Sequence, residues 1–115
     1  MKDIRAEFTV GEKTYGAVFN LNVMNALQEK YKTVDEWGKL TDGSNGEPNI
    51  GALVYGYTQM INEAIDIDND TAEVKKTFLT EKQVGRILTA YGMENAVKKL
   101  NNTVIESTKS EEKNE

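Results

Sequence analysis

Two runs of alternating apolar and polar residues open the chain, and nothing like them recurs later. Ile4, Ala6, Phe8 and Val10 share one face, with Arg5, Glu7 and Thr9 on the other. After Gly11-Glu12 the alternation resumes with Tyr15, Ala17, Phe19 and Leu21, separated by Gly16, Val18 and Asn20. Successive strand side chains point to opposite faces, so this period of two predicts an antiparallel hairpin. Gly11 suits the first central position of a type II′ turn, which needs positive φ. A hairpin alone is marginally stable, so its apolar face must rest on something else. The remaining chain offers helices. The expected fold is α+β: an N-terminal hairpin packed on four to five helices in one domain, residues 1–105, followed by a disordered polar tail, 106–115.

Asn22 is a candidate N-cap for a short helix carrying Val23, Met24, Leu27 and Tyr31. Thr33-Val34-Asp35-Glu36 has the spacing of a capping box and begins a helix with Val34, Trp37 and Leu40. The turn-forming segment from Thr41 to Pro48 reads as a surface loop. The central helix is predicted from Pro48 or Asn49 to about Asp66, with Ile50, Leu53, Val54, Tyr57, Ile61, Ala64 and Ile65 at helical spacing. Gly51, Ala52 and Gly56 form a stripe of small residues on it. An acidic loop should run from Asp66 to Thr77. Thr80-Glu81-Lys82-Gln83 is a second capping box, and Gly92 a natural stop. A last helix places Met93, Ala96, Val97, Leu100 and Val104 on one stripe. From Glu106 onward only Ser, Thr, Lys, Glu and Asn occur.

Composition narrows the chemistry. There is no histidine and no cysteine in 115 residues. That removes the commonest general base, any Ser-His-Asp triad, thiolate zinc and disulfides. A net charge of −5 opposes broad phosphate-backbone binding. No apolar run is long enough to span a bilayer, and Met1-Lys2-Asp3-Ile4-Arg5 lacks a signal peptide's apolar segment. Asp66, Asp68 and Asp70 match the first three ligand positions of an EF-hand loop, but Thr71 and Thr77 stand where glycine and glutamate are required. No phosphate loop or nucleophile elbow occurs. The expectation is a cytoplasmic, non-enzymatic protein without metal or cofactor, acting on neither nucleic acid nor membrane.

The order of these pieces resembles a known family. Phe19-Asn20-Leu21-Asn22-Val23-Met24-Asn25-Ala26-Leu27-Gln28-Glu29-Lys30-Tyr31 is similar to the strand-to-helix junction of the tail assembly chaperones of long-tailed bacteriophages, prophages and gene-transfer agents. Thr33-Val34-Asp35-Glu36-Trp37 fills that family's capped short helix. Ile50–Tyr57 resembles its central helix, and Leu79–Leu88 its later Leu-Thr-x-Glu-x-Val-Gly-x-Leu signature. The likeness covers roughly residues 8–105. Lys32 stands where the family often has glycine, and the loop from Asp42 to Pro48 is longer.

The resemblance implies a protein that binds the long helical tape measure protein, keeps it soluble, recruits tail tube protein and leaves before the virion is complete. It also implies a second, longer product made by frameshifting near Glu112-Lys113-Asn114. A permanent tail or connector protein and a small bacterial adaptor are the alternative readings. Helical projection sets Tyr55 on the polar side of the central helix, away from its apolar stripe. That makes it the leading partner-binding residue. Trp37 and Met60 are further candidates, each also suited to a core.

Overall fold

A computed structural model describes residues 4–44 and 46–112, with side chains described as far as Thr108. The hairpin pairs β1 (Arg5–Val10) with β2 (Lys13–Val18), with Ala6 opposite Ala17 and Phe8 opposite Tyr15. Gly11 has φ +63° and Glu12 a negative φ, the signs a type II′ turn needs. Phe8 anchors the sheet to the helices. Its ring lies 5.6 Å from Tyr15, 5.8 Å from Tyr57 and 4.8 Å from Tyr91. Among the described residues no further strand joins the two.

Five helices follow: α1 (Leu21–Tyr31), α2 (Val34–Thr41), α3 (Ile50–Asn69), α4 (Glu81–Tyr91) and α5 (Met93–Glu112). The fold is α+β, as expected. The cap of α1 is Asn20 rather than Asn22: Asn20 Oδ1 accepts from the Val23 N–H at 3.2 Å. The side-chain amides of both asparagines donate to the Glu63 carboxylate on α3, at 2.6 and 3.0 Å, fixing the strand-to-helix junction to the central helix. The strand alternation therefore ends at Val18. Leu21 is 69% exposed as the first residue of α1, whereas Val18, expected on the polar face, is buried. Thr33 caps α2 through Glu36 N–H, Asn49 caps α3 through Ala52 N–H, and Thr80 and Gln83 close a reciprocal capping box on α4.

Helix α3 is the hub. β2, α1, α2 and α4 pack against it, and the Tyr57 hydroxyl donates to the Ala96 carbonyl of α5 at 2.6 Å. Its buried residues include Ala52, Leu53, Gly56, Tyr57, Thr58, Met60, Ile61 and Ala64, a surface too wide for the single expected stripe. Thr58 is tolerated inside because its hydroxyl bonds back to the Val54 carbonyl at 2.7 Å.

Two boundaries differ from expectation. The acidic segment at Asp66 does not open a loop, because α3 continues to Asn69. Asp68 there holds Arg5 of β1 in a two-pronged ion pair, at 2.8 and 3.2 Å, so the helical turn is tied to the sheet. The returning segment after α3 is held by two asparagine side chains acting as peptide mimics. Asn62 exchanges a pair of hydrogen bonds with the backbone of Leu79, and Asn69 does the same with Lys76. The expected domain boundary at 105 also falls inside a helix, since α5 runs to Glu112. Ala96, Leu100, Thr103 and Ser107 are all buried, so small polar residues prolong the apolar stripe. Lys113–Glu115, the rest of the expected tail, lie outside the described residues.

Candidate functional site

The three candidate partner residues do not form one surface. Trp37 and Met60 are each 1% exposed and belong to the core, which corrects their assignment as contact residues. The indole of Trp37 stacks on Phe19 with 6.3 Å between centroids and donates from Nε1 to the Ala52 carbonyl at 3.0 Å. That satisfies its one polar atom, so burial costs it nothing in lost hydrogen bonding.

Tyr55 is half-buried, and α1 accounts for much of its surroundings. Its hydroxyl reaches the Ala26 carbonyl at 3.4 Å, Tyr31 meets its ring edge-on at 5.9 Å, and the Lys30 ammonium lies 4.4 Å from its centroid. Burial, and then the charge of Glu29 and Glu81, raises its phenol above the ordinary value. Tyr31 is raised likewise by burial, then by Tyr55 and Glu81. Both stay neutral and act as amphipathic packing groups. Tyr57, deeper in the core, is raised further by burial and then by Tyr91.

The openings lie elsewhere. A groove of about 350 Å³ runs between α3 and α4, floored by Leu53, Val54, Gly85 and Leu88 and bordered by Lys82 and Arg86. Ile50 and Met93 stand at it with 54% and 47% of their surfaces exposed. A second groove of about 360 Å³ lies between α2 and α5, lined by Trp37, Gly38, Thr41, Leu100, Val104 and Ile105. Helical period alone placed Ile50 and Met93 in the core. Each is the first residue of its helix, so each overhangs the neighbour that covers the rest of its stripe. The signal available in sequence was that position, directly behind a cap or a stop.

No group of three or more potential metal-ligating side chains occurs among the described residues, and no described helix is long and apolar enough to cross a membrane. The α3–α4 groove offers apolar burial with cationic margins, whereas Asp42 borders the α2–α5 groove. No protein-family model matches the chain, and neither a curated protein nor a solved structure is detectably similar to it.

Proposed function

We propose that this protein is a tail assembly chaperone of a long-tailed phage or prophage, binding the tape measure protein non-enzymatically in the bacterial cytoplasm and helping to recruit tail tube subunits. The observation that carries this reading is the backbone at Lys32. It caps α1 with φ +75° and ψ −45°, a region that favours glycine, at the position where the resembled family often has glycine. The lysine itself departs from the family's residue, while the backbone there is one that glycine adopts freely. The apolar grooves on a chain of net charge −5 supply the second support, since a client-binding protein needs an apolar surface and a soluble exterior.

The test is co-expression with the product of a long helical reading frame next to this gene. That product should move from the pellet to the soluble fraction and co-purify with this chain. An unchanged pellet, or recovery of this chain in purified particles, would overturn the chaperone reading. The second result would favour a permanent tail component.

A further inference from the structure

We propose that the groove between α3 and α4 docks one amphipathic α-helix of another protein, bearing acidic residues beside its apolar stripe. Three observations lead there. The first is the pair of exposed apolar side chains, Ile50 and Met93, set beside a floor of Leu53, Val54 and Leu88. Among the described residues nothing completes their burial.

The second is Gly85. Glycine inside a helix costs roughly 1 kcal/mol against alanine, so it usually has a reason nearby. At Gly56 the reason is internal, because a Cβ there would overlap the Trp37 indole. At Gly85 a Cβ would meet nothing within 4 Å. The opening above its Cα is the place where another backbone can come close.

The third is charge. Lys82 and Arg86, one turn apart on either side of Gly85, line the groove, and no acidic side chain does. Neither pairs with a carboxylate among the described residues. On an acidic chain, two unpaired cations beside an apolar floor select an occupant with carboxylates along its flank. The walls are helix side chains, which offer no free backbone groups to an extended peptide. A helix brings its own backbone bonds already made, and presents anchors at i, i+3 and i+4.

This inference does not depend on the phage reading, and its probe is a synthetic peptide. Fluorescence anisotropy would compare an amphipathic helix whose leucine stripe is flanked by glutamates with the same helix flanked by lysines. The glutamate peptide should bind about tenfold or more tightly at low salt, a gap that added salt narrows. Gly85→Leu should lower its affinity about tenfold, while Gly38→Leu in the α2–α5 groove leaves it unchanged. The double reversal Lys82→Glu with Arg86→Glu touches only the margin of the groove, and should switch the preference to the lysine peptide. Equal affinity for both peptides would overturn the proposal, as would binding indifferent to both sets of variants. So would self-association in sedimentation that Gly85→Leu abolishes, which would make the occupant a second copy. Peptide binding without client rescue would strike the chaperone reading alone.

Discussion

On the α2 side of the central helix, the Trp37 indole lies so close over Gly56 that a single added carbon would collide with it. On the α4 side, the space over Gly85 stands open. Both glycines sit inside well-formed helices, and propensity alone disfavours both. The first is explained by the chain's own packing: a large flat ring needs a flat place to lie. The second is not, and the unmatched space coincides with exposed apolar side chains and cations. A glycine in a helix is informative only once its neighbours are known.

Four substitutions break or sharpen that contrast. Trp37→Ala should cost the most, about 3–5 kcal/mol in urea unfolding, since it empties the space of the largest fully buried side chain. Gly56→Ala should cost about 1–3 kcal/mol by overpacking the indole. In the Trp37→Ala background the same change should turn favourable, which a double-mutant cycle would register as coupling. Lys32→Gly should raise stability by about 1 kcal/mol, by relieving the positive φ at the end of α1. Gly85→Ala should also stabilise, by about 0.5–1 kcal/mol in thermal or urea unfolding, because its Cβ enters open space. Destabilisation by Gly85→Ala would mean that the groove is closed from within.

What could be read from sequence divides by range. The hairpin, its glycine turn, the Thr33 and Thr80 caps and the Gly92 stop depend on residues only a few positions apart, and they stand where expected. Helix ends set by distant partners were not legible. Asn22 was expected to cap α1, but Glu63, more than forty positions away, accepts from both Asn20 and Asn22 and leaves Asn20 Oδ1 for the cap. Asp68 reads as loop until Arg5 is seen beside it, a pair separated by 63 positions. Ser107 reads as tail because polarity, not size, was weighed, whereas a close helix contact accepts any small side chain. Periodicity set Tyr55 apart from the apolar stripe and could not show that α1 would cover it or that its ring would pack against the core.

The hub position of α3 also bears on how the protein is made. Its residues, Ile50–Asn69, leave the ribosome only after both strands, α1 and α2 have emerged. Until then Phe8, Phe19, Leu27 and Trp37 lack the helix that covers them, and a two-stranded hairpin cannot hold itself together meanwhile. At roughly 5–20 residues per second, the wait from Trp37 to the end of α3 is on the order of a few seconds. During that time the nascent segment is open to association with other chains. Emergence of α3 then lets β2, α1 and α2 pack on it, while Phe8 still waits for Tyr91 of α4, so slowing translation before Ile50 would prolong the vulnerable state.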